Sequence, residues 1–141
     1  MTCSVGCEVS ETVQVPNLSP ATVQILSVTP SDGDTLAAAT TIAVELEYRV
    51  NEFVEGGFAV GATAQQNQAG HAWTLLSHDG KDFIVLPKAA GTITVVFDAR
   101  NALEKPDAKY PLHITFDVRQ LIGTMGASAI VAETQPVVYK K

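Results

Sequence analysis

The sequence predicts an all-β domain, an antiparallel sandwich of seven to eight strands that follows an extended N-terminal arm. Several runs alternate between apolar and polar residues, and turn residues separate these runs. No window keeps the apolar stripe that a core-facing helix needs. The 141 residues match the size of one domain, with no repeat or linker to divide them. Residues 1–20, which are polar and carry two prolines, are the predicted arm, and residues 21–141 are the predicted domain.

The clearest strand is predicted at residues 41–50. Its apolar face would consist of Ile42, Val44, Leu46, Tyr48 and Val50, and the charged Glu45, Glu47 and Arg49 would face solvent. A second clear run, residues 111–120, places His113, Thr115, Asp117 and Arg119 on its wet face. Further strands are predicted at 22–29, 57–64, 71–77, 82–87, 92–99 and 128–139, the last with a break near Pro136. One dry and one wet face per strand is typical of antiparallel sheets.

Turn residues separate these strands. Asp79 and Gly80 form the pair preferred in tight two-residue hairpins, so they predict a hairpin that joins a strand at 72–77 to one at 82–86. A second turn cluster runs from Pro30 to Asp34.

Two segments resemble known sandwich modules. Residues 27–36, with Pro30, Asp32 and Gly33 in the turn, resemble the opening of bacterial immunoglobulin-like modules. Residues 103–110 resemble the entry to the sixth strand of fibronectin type III domains, where a tyrosine forms a corner by bonding to upstream backbone. The resemblance implies an immunoglobulin-like sandwich, a tyrosine corner at Tyr110, and an adhesive, spacer or structural role rather than catalysis.

Composition excludes several classes of partner. The net charge is −6, and the nine basic residues are scattered, so we expect no nucleic-acid binding. No apolar stretch approaches the roughly 20 residues that span a bilayer, and no signal peptide is visible. We expect a virion or other assembly if Met1 is native, and an extracellular or periplasmic location if a leader has been removed. Neither a Gly-x-Ser-x-Gly elbow nor a phosphate-binding loop occurs, so we expect no enzyme and no cofactor.

The metal-binding candidates are few. Asp32 and Asp34 flank a glycine and could ligate calcium, although an ordinary Asx-type turn explains them as well. The histidines do not match a zinc or copper pattern. Cys3 and Cys7 could be free thiols, an intrachain disulfide, or a site of intermolecular or lipid attachment.

Contact with another protein is the function that we expect. Trp73, the only tryptophan, is either a core anchor or an exposed contact residue. Segment 56–70 is uncharged and amide-rich, which fits either a contact surface or a flexible loop. The candidate interface residues are Val13, Val15, Phe58, Gln65, Gln66, Asn67 and Gln68. We expect a homo-oligomer or larger assembly, such as a virion capsid, decoration or tail component or a filament subunit. The alternative is an exported bacterial surface or periplasmic module for adhesion or carbohydrate binding.

Overall fold

The alternating runs build two antiparallel sheets in the computed structural model, which describes residues 18–36, 41–66, 72–98, 110–122 and 127–140. The predicted all-β sandwich is confirmed, because the described residues form nine strands and no helix. The strands are β1 (Ala21–Thr29), β2 (Thr41–Val50), β3 (Phe58–Gln66), β4 (Ala72–Thr74), β5 (Ile84–Val85), β6 (Ala90–Asp98), β7 (Leu112–Ile122), β8 (Ala127–Glu133) and β9 (Val137–Tyr139). Among these residues, no helix has the length and hydropathy that crossing a lipid bilayer requires.

The nine strands divide into a small and a large sheet. The small sheet has the order β1-β2-β6. The large sheet has the order β4-β3-β7-β8, with β5 following β4 along the same side of β3 and β9 lying beside β7 at the end that β8 leaves free. The predicted last strand is split between β8 and β9 by residues 134–136, close to the expected break at Pro136.

The core lies between the two sheets. All five apolar residues predicted to share a face of β2 are buried, and so are those of β7: Leu112, Ile114, Phe116 and Val118. From the large sheet, β3 adds Phe58, Val60, Ala62 and Ala64. Successive side chains of a strand point to opposite faces, so the alternating apolar residues all lie on the face that packs into the core.

A bulge interrupts β1. The pairing with β2 shifts register between Ile25 and Ser27, which leaves Leu26 as an extra, exposed residue. Before the bulge the odd-numbered Val23 and Ile25 pack against the core, and after it the even-numbered Val28 does. The bulge thus keeps apolar residues on the inner face although their spacing in the sequence changes.

The hairpin predicted around Asp79 and Gly80 is present only as a turn. Its strands do not pair with each other, because β4 and β5 both pair with β3. Residues 75–83, which we call the crossing segment, leave the large sheet, reach β6 of the small sheet and return. The Leu75 amide donates to Ala62, whereas the His78 amide donates to the carbonyl of Val96 on β6 at 2.7 Å.

The cluster from Pro30 to Asp34 fixes β9. The Asp32 carboxylate accepts a hydrogen bond from the Val138 amide at 2.7 Å, and the Tyr139 hydroxyl donates to the Pro30 carbonyl at 2.6 Å. Burial, together with the nearby carboxylates of Asp32 and Asp34, raises the pKa of Tyr139 far above its ordinary value, so this hydroxyl stays a donor. We call this set of contacts the β9 clamp.

Candidate functional site

A row of four residues with exposed aliphatic side chains at its two ends crosses the outer face of the large sheet. Cross-strand pairing places Val85 of β5 beside Ala59 of β3, Ala59 beside Arg119 of β7, and Arg119 beside Ile130 of β8. We call these four residues the outer row. Val85 and Ile130 are 47% and 50% exposed at its two ends. Aliphatic side chains at both ends of one row, facing away from the core, form a surface that can be covered by another protein.

The positive charge of Arg119 in the outer row is compensated by Asp117 on the same strand, β7. Asp117 was predicted on a wet face, and this prediction is wrong, since it is only 1% exposed. The Arg119 guanidinium covers it and binds it with two hydrogen bonds, Nε to Oδ1 at 2.7 Å and Nη2 to Oδ2 at 3.3 Å. The two-pronged pairing satisfies both carboxylate oxygens, which burial of a charge demands.

Gly61 makes this geometry possible. A Cβ atom at position 61 would lie 2.8 Å from the Arg119 guanidinium carbon, closer than such atoms approach. Because Gly61 has no side chain, Arg119 lies flat over β3 instead of standing out from the sheet. The outer face is consequently flat and locally neutral at this point, although the whole chain carries a net charge of −6.

The chain enters the sandwich at one end of the same sheet. Ser19 is buried there, where its amide donates to Gln120 Oε1 at 2.9 Å and its hydroxyl accepts from the Glu52 amide at 2.8 Å. A shallow groove at this end is lined by Val54 and Leu121 among others, and Val54 is well exposed. The described chain therefore begins, at Leu18, beside exposed apolar side chains.

Segment 56–70 differs from the contact loop that its composition suggested. Residues 58–66 form the interior strand β3, in which Phe58 is 2% and Gln66 8% exposed. These two side chains are therefore not available to a partner in this fold. Gln65 is half-buried on the outer face, whereas Asn67 and Gln68 lie outside the described residues.

Trp73 and Tyr110 both lie half-buried against the core. Trp73 stands opposite Ala64, which is on the inner face of β3. Desolvation raises the pKa of Tyr110. The upstream backbone that a tyrosine corner would use falls at residues 99–109, outside the described residues, so the corner stays a prediction.

The carboxylates of Asp32 and Asp34 bind local backbone. Asp34 Oδ2 accepts from the Ser31 amide at 3.2 Å, while Asp32 belongs to the β9 clamp. No group of three or more metal-ligating side chains occurs among the described residues. These bonds support the turn interpretation of the pair. Cys3, Cys7, Val13 and Val15 lie outside the described residues.

Two tyrosines have roles that the sequence reasoning missed. Tyr139 closes the β9 clamp, and the Tyr48 hydroxyl donates to the Lys88 carbonyl at 2.9 Å. Each ring is buried while its hydroxyl reaches a backbone carbonyl near the end of a strand. The only sequence signal was a tyrosine at a core position of an alternating strand, which implies a nearby acceptor.

A polar groove of about 360 Å³ lies on the outer face of the small sheet. Thr22 and Gln24 line it from β1, and Glu47 and Arg49 from β2. The Gln24 amide donates to the Glu47 carboxylate, which orients that side chain. The groove thus offers a carboxylate, an amide and a guanidinium on one open surface.

No protein-family model matches the chain, and no curated protein matches its sequence.

Proposed function

We propose that this chain is a non-enzymatic structural protein that assembles with copies of itself, as a virion capsid, decoration or tail component or as a filament subunit. The immunoglobulin-like character of the sandwich belongs to the same proposal and rests on the turn at Pro30, Asp32 and Gly33. The observation that carries the assembly proposal is the outer row. Its partner is a second copy of this chain.

Charge favours the outer row as the contact between copies. Two copies that each carry −6 repel one another over most of their surfaces. The outer row is an exception because Asp117 neutralises Arg119 within each copy. An already satisfied arginine, flanked by aliphatic side chains, can be covered without leaving a charge unpaired.

The test is sedimentation velocity over a wide range of protein concentration. The unmodified chain should show a sedimentation coefficient that rises with concentration. The double substitution Val85→Glu and Ile130→Glu should keep it at the monomer value. The matched control, Thr92→Glu and Thr94→Glu, adds the same charges at exposed sites of the small sheet and should leave association intact. A chain that stays monomeric throughout, or equal loss in both double variants, would overturn the proposal.

The polar groove favours a second candidate, an exported bacterial surface or periplasmic module that binds carbohydrate. Sugar hydroxyls pair with carboxylate, amide and guanidinium groups of the kind that Glu47, Gln24 and Arg49 present. On a glycan array, Arg49→Ala should abolish binding, whereas Glu45→Gln, outside the groove lining on the same strand, should retain it. An array without bound glycans would remove this candidate.

A further inference from the structure

The inner face of β1 is incompletely covered. Its core-facing residues Ala21, Val23, Ile25 and Val28 are all half-buried, whereas every core-facing residue of the neighbouring strand β2 is buried. The hydrophobic effect favours covering such side chains. The sandwich therefore leaves apolar surface exposed along this one edge.

A groove runs beside the same edge. It has a volume of about 350 Å³ and lies between Val23, Gln24 and Ile25 of β1 on one side and residues 133–135 on the other. We call it the open seam. Among the described residues β1 pairs with β2 alone, so every second residue of β1 directs its N–H and C=O groups away from β2, at the edge beside this seam. Unpaired edge groups of this kind are a template for another strand.

We propose that residues 11–15 of a neighbouring copy add to β1 as an extra strand in the open seam. This inference rests on the proposed function and names one of the contacts between copies. In that segment Val13 and Val15 alternate with Thr12 and Gln14. Placed beside β1, the valines cover the half-buried inner face, and the polar residues continue the outer face of Thr22 and Gln24. Backbone hydrogen bonds supply affinity and the alternating side chains supply register.

The strand comes from a neighbour because the chain is fixed just before β1. Ser19 is bonded to Gln120 of the large sheet, and the Pro20 carbonyl accepts from the Asn51 amide at 3.0 Å. The chain therefore crosses from the large sheet to the small one at these two residues, so a strand donated by the same copy would have to reverse its direction within residues 16–18. Seventeen residues precede Leu18. Extended at about 3.3 Å per residue they span about 55 Å, well beyond the roughly 30 Å length of β1.

The first test places charge on alternate residues of the donated segment. Val13→Asp with Val15→Asp should weaken association at least tenfold, because both aspartates would face the apolar inner side chains Val23 and Ile25 of β1. Thr12→Asp with Gln14→Asp adds identical charge to the same segment and should change association less than twofold, since these side chains face solvent. Sedimentation velocity measures both. Equal effects of the two pairs, or no effect of either, would overturn the inference.

The second test locates the contact by mixing two labelled chains. Both carry Cys3→Ser and Cys7→Ser; one also carries Gln14→Cys and the other carries Gln24→Cys on β1, because both of these side chains face outward in the proposed pairing. Oxidation of the mixture should give a disulfide-linked heterodimer on a non-reducing gel. Thr94→Cys on β6 replaces Gln24→Cys as the control and should give none. Association without the Gln14–Gln24 cross-link would refute strand addition while leaving assembly itself standing, whereas a chain that never associates would refute both.

Discussion

The two edge strands of the small sheet, β6 and β1, differ in whether other backbone pairs with them. At the β6 edge the crossing segment brings its own backbone to the strand, through the Ser77–Phe97 bridge and the His78 amide on Val96. At the β1 edge the described residues supply no such pairing, and only a bulge at Leu26 interrupts the strand. Edge strands invite association unless they are covered. Within the part of the chain that the structure describes, one edge is therefore covered and the other is not, which is the arrangement that the proposed strand addition requires.

The largest expected change in the free energy of unfolding comes from a substitution that tests whether the crossing segment is part of the core. Leu75, the first residue of that segment, is fully buried, so Leu75→Ala should lower the free energy of unfolding by about 2–5 kcal/mol. The same substitution at the open edge, Leu26→Ala, removes an exposed bulge residue and should change stability by less than about 0.5 kcal/mol. Urea denaturation of the chain without residues 1–17 measures both without interference from the proposed strand addition, and it keeps the Ser19 and Pro20 contacts. Similar losses at the two sites would contradict the contrast between the edges.

A smaller effect is expected from a substitution at Gly80 that should expose the β6 edge. Gly80 adopts a φ of 82°, and its amide closes the turn onto the Ser77 carbonyl at 2.9 Å. Gly80→Ala should cost about 1–2 kcal/mol and speed hydrogen exchange of the His78 amide, because the turn that holds this amide on Val96 becomes strained. Gly56→Ala introduces the same strain at a φ of 76° in the β2–β3 loop. That control should leave the His78 amide protected. Equal protection in both variants would show that the turn does not hold the edge.

The smallest expected effect concerns pH at the covered edge. His78 Nδ1 lies 2.8 Å from Asp98 Oδ1, and this hydrogen bond raises the pKa of the exposed His78. A pKa raised by folding means that the stabilisation is complete below the ordinary histidine pKa and is lost as the pH rises through the folded value. Asp98→Asn should therefore return the His78 pKa toward its ordinary value in an NMR titration. Asp82→Asn, further along the same segment, leaves the bond intact and should shift that pKa much less.

Local alternation predicted the strands well because each strand buries one face. β2 occupies the ten residues expected, and β1, β3, β6 and β7 begin and end within about two residues of expectation, the usual uncertainty of strand limits. The bulge, at which the core positions change from odd to even between Ile25 and Val28, was not predicted. Which strand each segment pairs with could not be predicted from the sequence. A segment that pairs with its neighbour in sequence and one that crosses to another sheet show the same alternation.

The candidate site depended on contacts between distant residues. The alternation in sequence predicts a solvated Asp117, whereas the Arg119 side chain covers it in the structure. Arg119 can take this position only because Gly61, on another strand, has no side chain. The outer row joins residues of four strands, so it exists only once their register is known. Phe58 was predicted within a strand at 57–64 and also as an interface residue, because the glycines and alanines around it hide which face of that strand is apolar.

The β9 clamp ties together residues that are synthesised far apart in time. The bonds from Val138 to Asp32 and from Tyr139 to Pro30 span 106 and 109 residues. At a translation rate of 5–20 residues per second, β9 is synthesised roughly 5–20 s after the turn at Pro30–Asp34 to which it bonds. During that interval β1 is held by sequence-near neighbours alone. In the proposed assembly, strand addition between nascent chains would therefore compete with completion of the domain by β9.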